Sequence, residues 1–150
     1  MGKEKETGRI VVGIDGSAES IVALREAERV AKATGSWLDV VTCWSDSTFA
    51  AGQSSTSASD LENRARQLLQ DSVSNTFGTP LPDRVSTSLV RGQPRQKLIE
   101  LSDGADMLVV GRRGHGGFSG LLLGSVSQAC VAHAHCPVLV VNMGHDGESL

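Results

Sequence analysis

The residues best suited to chemistry stand late in the chain, in the run Gly111-Arg112-Arg113-Gly114-His115-Gly116-Gly117-Phe118-Ser119-Gly120-Leu121-Leu122-Leu123-Gly124-Ser125-Val126-Ser127. Six glycines fall within its first fourteen positions. Glycine permits positive φ and close backbone approach, so consecutive N–H groups can turn toward a phosphate. Ser125 and Ser127 then fall at the start of an expected helix, whose free N–H groups and dipole favour negative charge. Arg112 and Arg113 add local positive charge to a chain whose net charge is −3. A surface loop whose glycines only serve turns has a similar composition; the helix start tips the reading toward an anion site. Two other nucleotide signatures are missing. No Gly-x-x-x-x-Gly-Lys-[Ser/Thr] occurs, so this is not a P-loop by motif. The run from Gly114 to Gly120 misses Gly-x-Gly-x-x-Gly by one residue and follows the fourth expected strand rather than the first, which argues against a dehydrogenase.

Asp15 is the second candidate. It follows Ile10-Val11-Val12-Gly13-Ile14 and precedes Ser17 by two residues, so it either closes a turn into a helix or serves a site. Its place at the carboxyl end of a strand favours the site. Cys130, His133, His135 and Cys136 suggest a metal set, but the first two fall on an expected helix and Cys136 enters a strand. That spacing is no standard zinc pattern. With Cys43 the cysteines number three, an odd count without framework spacing, which fits a reducing cytoplasm. No general base stands beside any thiol, so all three read as inert.

These candidates need a scaffold, and the apolar pattern supplies one. Ile10 to Ile14 is a continuous apolar run of strand length, as in a sheet buried on both faces. Residues 18 to 34 carry helical spacing at Val22, Ala23, Ala27, Val30 and Ala31, with Ser17 as N-cap and Gly35 as the stop. Trp37 to Trp44 returns to a strand. Residues 45 to 59, rich in Ser, Thr, Ala and Gly, predict a mobile loop and a lid over the site. Ser59 and Glu62 are spaced as a capping box that opens a helix to about Phe77. Val85 to Val90 alternates as a more exposed strand, and Pro94 suits the first position of a helix over 94 to 102. Met107 to Val110 is a buried strand, 125 to 134 a short helix, and Val138 to Val141 a final strand. The sum is one α/β domain over 1–150, a Rossmann-like sandwich with a five-stranded, mostly parallel sheet and helices on both faces. Residues 1–8 and 143–150 read as flexible termini. In such a sheet ligands bind beyond the carboxyl ends of the strands, so Asp15, Cys43 and Gly111 should converge on one crevice.

Composition narrows the function. Acidic balance and 3% aromatics argue against a nucleic-acid binder that relies on charge or base stacking. No apolar run reaches the length of a membrane span. The expectation is a cytoplasmic protein with neither a nucleic-acid nor a membrane partner.

The sequence resembles the universal stress protein family over nearly its whole length. The likeness rests on Ile10 to Ser17, Val90 to Pro94, Asp106 to Ser127 and Cys136 to Val141. The family's ATP-binding branch carries Gly-x2-Gly-x9-Gly-[Ser/Thr], and Gly111, Gly114, Gly124 and Ser125 match every fixed position. The resemblance implies that Gly13 and Ile14 run along the adenosine, that Asp15 lies near the ribose and bound metal, and that the Cys43 backbone meets adenine. It implies that Val110 and Gly111 line the nucleotide, while Gly114, Gly124, Ser125, Val126 and Ser127 surround the phosphates. Arg113 takes a phosphate-side position. Arg112 departs from the small residue usual in the family and either reaches the phosphates or points to solvent. The ligands implied are ATP and Mg²⁺ or Mn²⁺. The resemblance also implies a homodimer through 137–141 and a stress-response regulator with slow or no hydrolysis. The competing reading is a slow nucleotide hydrolase or phosphotransferase that uses Asp15 to hold Mg²⁺ and Arg113 to stabilise the phosphates.

Overall fold

The structure is a computed structural model that describes residues 7–46, 57–113 and 123–143. Its elements, in chain order, are β1 (Arg9–Gly13), α1 (Ala18–Thr34), β2 (Trp37–Trp44), α2 (Ala58–Phe77), β3 (Val85–Arg91), α3 (Pro94–Ser102), β4 (Met107–Gly111), α4 (Ser125–His133) and β5 (Val138–Val141). The strands form one sheet in the order β3-β2-β1-β4-β5. Every neighbouring pair is parallel, so the expected mostly parallel sheet is wholly so.

Parallel strands need crossover helices, and these cover both faces. Successive side chains of β1 therefore alternate between two cores. Ile10 and Val12 pack with Ala23, Leu24 and Ala27 of α1 and with Leu69 and Val73 of α2. Val11 packs on the other face with Val41, Leu108, Val110, Leu98 of α3 and Cys130 of α4. β3, at one edge, is different. α3 packs on β1, β2 and β4, and α4 on β5 and α3. Ser86 and Thr87 of β3 are exposed, and Ser86 and Ser88 donate to Asp39 Oδ1 on β2 at 3.3 and 2.9 Å. The alternating pattern of this strand thus marks a half-covered edge.

Helix ends follow local chemistry. Ser17 caps α1 by accepting the Ser20 N–H at 3.2 Å, and Gly35, at φ 70, ends it. The left-handed turn there suits a residue without Cβ. Pro94 opens α3 as expected. The start of α2 is a correction. Its cap is Ser57, whose hydroxyl accepts the Asp60 N–H at 3.1 Å, and Ser59 already lies in the first turn. Two serines at alternate positions, each followed three residues later by an acid, compete for one cap, and spacing alone does not choose between them. The mobile loop expected over 45–59 falls largely outside the described residues, as do most of both expected flexible termini. No described helix is long and apolar enough to cross a membrane.

One buried hydroxyl ties the two helices of the second face to the sheet. Ser102, fully buried at the end of α3, donates to Ile99 O at 2.6 Å and accepts the His135 N–H at 2.8 Å between α4 and β5. Ser102→Ala strands that N–H away from water, and the expected cost is about 1–3 kcal/mol of unfolding free energy by urea titration.

Candidate functional site

Strand order reverses between β1 and β4. The chain leaves β1 for α1 on one face and β4 for α4 on the other, so a crevice opens outside their carboxyl ends. Gly13-Ile14-Asp15 and Gly111-Arg112-Arg113 both reach this edge. The ladder continues just past β1, where the Ile14 N–H donates to Val41 O at 2.9 Å and Thr42 Oγ1 donates to Ile14 O at 3.3 Å. The side chains of Ile14 and Val110 are buried in opposite cores. Val126 and Cys43 pack, half-buried, on the second core. These four residues thus commit their side chains to packing, and only their backbones are suited to meet a ligand. Cys43 sits on β2, one strand removed from the reversal.

Asp15 takes the turn role that its spacing allowed. Its Oδ1 accepts the Ser17 N–H at 2.9 Å, and its own N–H donates to Ser20 Oγ at 3.2 Å. The carboxylate is nonetheless at the carboxyl end of β1, half-exposed.

The two ends of the glycine-rich loop are fastened at one atom. Arg112 O accepts the Gly124 N–H at 2.8 Å and the Ser127 hydroxyl at 2.7 Å. Ser127 is buried and its proton is engaged there, so in this arrangement it secures the loop instead of pointing outward. Ser125 is exposed at the first position of α4. Gly124, the N-cap, has φ −76 and ψ 174, a conformation open to any residue, and makes no side-chain cap bond. The first N–H groups of α4 therefore lack the usual side-chain cap that a Ser or Asp would offer. Gly114, the remaining fixed glycine of the motif, lies outside the described residues.

Gly111 has a packing reason to be glycine. A Cβ there would lie 3.1 Å from the backbone C and O of Glu19, so the first turn of α1 presses directly on the end of β4. A Cβ at Gly13 would meet Leu98 Cδ1 at 2.7 Å. Both glycines close the sheet against a helix at the strand end.

The residue that sequence reasoning missed is Glu19. It is only 8% exposed, in the first turn of α1. Its Oε1 accepts the Arg113 N–H at 2.5 Å. Its Oε2 lies 3.8 Å from Arg112 Nη2 and 3.6 Å from Arg113 Nη2. The open question of Arg112 is thereby answered for this structure: its guanidinium turns inward to Glu19. The only sequence signal was an acid in a first helical turn, which is ordinary dipole chemistry and says nothing of a partner 93 positions on.

The thiols are of another character. Burial pushes Cys43 and Cys130 up to about 11 and raises Cys136 as well. Among the described residues no three His, Cys, Asp or Glu side chains form a metal set.

A parallel α/β sandwich whose strand reversal carries a glycine-bearing loop is the class that fold and crevice define. The universal stress protein family model matches residues 6–142, and the chain belongs to that family. Two relatives in Mycobacterium tuberculosis, universal stress proteins Rv2623 and Rv2005c, are 32% and 36% identical over 139 and 132 residues, each match covering 87% of this chain. The chain spans 44% of the length of either relative. Among solved structures, a universal stress protein in complex with cAMP superposes with a TM-score of 0.70 at 26% identity, covering 91% of this chain and 98% of that one. One from Archaeoglobus fulgidus in complex with dAMP gives 0.65 at 22%, covering 89% and 97%.

The raised thiol values carry a prediction. At pH 8 a disulfide reagent should label Cys43 and Cys130 slowly in the folded protein and rapidly after unfolding, because little thiolate is present. Folded values near 11 exceed the unfolded value near 9, so their stabilisation is whole below about pH 9 and is lost as pH rises toward 11. Denaturation midpoints across that window check the sign.

Proposed function

We propose that this chain binds ATP at the crevice between β1 and β4, and acts as a regulatory protein whose output depends on nucleotide occupancy, with slow or no hydrolysis. The observation that carries the reading is the joining of the glycine-rich loop to the start of α4 at Arg112 O, beside the reversal of strand order. That arrangement brings an uncapped helix N-terminus and two arginines to the edge where α/β folds take ligands. The cAMP and dAMP complexes of structural neighbours support an adenine nucleotide. The motif of Gly111, Gly114, Gly124 and Ser125 supports a phosphate chain.

In this reading backbone groups at Gly13, Ile14, Cys43 and Val110 follow the nucleoside. Gly111, Gly114, Arg113, Gly124, Ser125, Val126 and Ser127 surround the phosphates, Ser127 by holding the loop closed. A half-exposed carboxylate at a strand end fits a hard cation. Asp15 would hold Mg²⁺ or Mn²⁺, which would offset phosphate charge. Among the described residues, the carboxylate in contact with Arg113 is that of Glu19, which already accepts the Arg113 N–H and faces both guanidiniums, and this supports binding in preference to turnover.

Calorimetric titration tests the site. ATP should bind the native protein. Gly124→Val should abolish binding by filling the space beside the phosphates, and since φ −76 suits valine the chain should still fold, as circular dichroism checks. Ser125→Ala should weaken binding by about 0.5–1.5 kcal/mol, the worth of one neutral hydrogen bond. Native affinity in Gly124→Val would put the nucleotide elsewhere.

We further propose a cytoplasmic homodimer through Pro137–Val141. β5 is an edge strand, and Val138, Leu139 and Val140 are only half-buried. Apolar edges pair, and a two-fold axis closes the pairing. Light scattering should give twice the chain mass, shifted toward monomer by Val140→Lys; a concentration-independent monomer refutes it.

A further inference from the structure

We propose that Glu19 is a built-in counter-anion of the phosphate end of the site and sets its selection by ligand charge; this rests on the reading of that edge as a nucleotide phosphate site. Glu19 is on α1, at the point where Gly111 lets the helix press on β4, so its carboxylate lies under the first residues of the glycine-rich loop. It contacts two kinds of donor at once. Oε1 takes the Arg113 backbone N–H at 2.5 Å, and Oε2 stands 3.6 and 3.8 Å from the guanidiniums of Arg113 and Arg112.

A backbone N–H at the mouth of a glycine-rich loop and paired guanidiniums are the donors an anionic ligand would use. Glu19 already engages them. Its side chain is 10% exposed, whereas those of Arg112 and Arg113 are 32% and 21% exposed, so the carboxylate is the most buried of the three charges and the arginines are the more accessible to a ligand. Adjacent guanidiniums repel each other, and a carboxylate oxygen between them offsets that repulsion. The ion pairs are longer than hydrogen bonds, so Glu19 draws both guanidiniums chiefly by charge. Arg112 Nε is buried and has no hydrogen-bond partner among the described residues.

The consequence is a site with part of its positive charge cancelled from within. Every negative charge on a ligand meets the arginines and, just behind them, Glu19. A more highly charged ligand gains more from the arginines and loses more to the carboxylate. Glu19 therefore compresses the difference in affinity between ATP and a nucleotide of lower charge such as cyclic AMP. It is a specificity-determining and positioning residue that acts through Arg112 and Arg113.

The test is calorimetric titration of ATP and of cyclic AMP, both with Mg²⁺, into the native protein and four variants. Glu19→Gln keeps the shape and an oxygen for the Arg113 N–H but removes the charge. The ratio of ATP to cyclic AMP affinity should rise about three- to tenfold, the scale of one unit charge acting across several ångströms of half-buried protein. Glu19→Asp should restore the native ratio. Glu19→Ala should weaken both nucleotides through the lost backbone anchor while still raising the ratio. Arg112→Gln should move the ratio the other way, and this variant keeps the test alive if a position-19 variant fails to fold. A purely structural Glu19 would weaken both ligands alike. An unchanged or lower ratio in Glu19→Gln, with both nucleotides still binding, overturns the inference and leaves the nucleotide site standing. Failure of the native protein to bind either nucleotide overturns both.

Discussion

The approach of α1 to the end of β4 at Gly111 is the constraint on which the rest depends. A helix reaches a neighbouring strand this closely most readily where the strand has no side chain in the way, and a Cβ at position 111 would stand only 3.1 Å from Glu19 backbone atoms. That contact joins the start of α1 to the end of β4. It brings an acid of the first turn under Arg112 and Arg113, and it fixes where the glycine-rich loop departs. Asp15, Ser17 and Ser20 form the other wall through a short chain of hydrogen bonds that turns β1 into the helix. A methyl group at position 111 would require the Glu19 backbone to give by tenths of an ångström, in a contact that close packing leaves little room to relax.

Much of this was legible in the sequence, for physical reasons. Ile10-Val11-Val12 and Leu108-Val109-Val110 are apolar at consecutive positions because helices cover both faces of the sheet. That pattern, alternating with helical spacing, leaves few topologies. Ser17, Gly35 and Pro94 each act through their own backbone or nearest neighbours, and such signals survive without a structure. The family likeness reached the same fold from the motif side. What the sequence hid is long-range or ambiguous. Ser57 and Ser59 offered equal local cases for the cap. Glu19 and its arginines are neighbours only because a helix and a distant strand end meet. The hydroxyl of Ser127 reads in sequence as a ligand donor, yet folding gives it the Arg112 carbonyl first.

The site also divides labour between backbone and side chain. Ile14, Val110 and Val126 place their side chains in the two cores, and in the proposed site only their peptide groups would meet the nucleotide. Substitutions there act first on packing, and a change in ligand binding would follow from displaced backbone. Asp15, Ser125, Arg112 and Arg113 are more separable from the core, being half-exposed or exposed. Substitutions of charge at this edge can therefore be made without rebuilding the sheet.

The two margins of the sheet are chemically unlike. β5 presents Val138, Leu139 and Val140, whereas β3 presents Ser86, Thr87 and Ser88 with Arg91 at its end. Open-ended growth of strands into a fibre requires adhesive margins on both sides of each molecule. Here only one margin is apolar, and the other is hydrated, so a chain that joins another by its β5 side has nothing comparable left to offer a third. Were two chains to join by β5, polarity placed on the opposite strand would stop the assembly there, at the half-covered face where Asp39 accepts from its two serines.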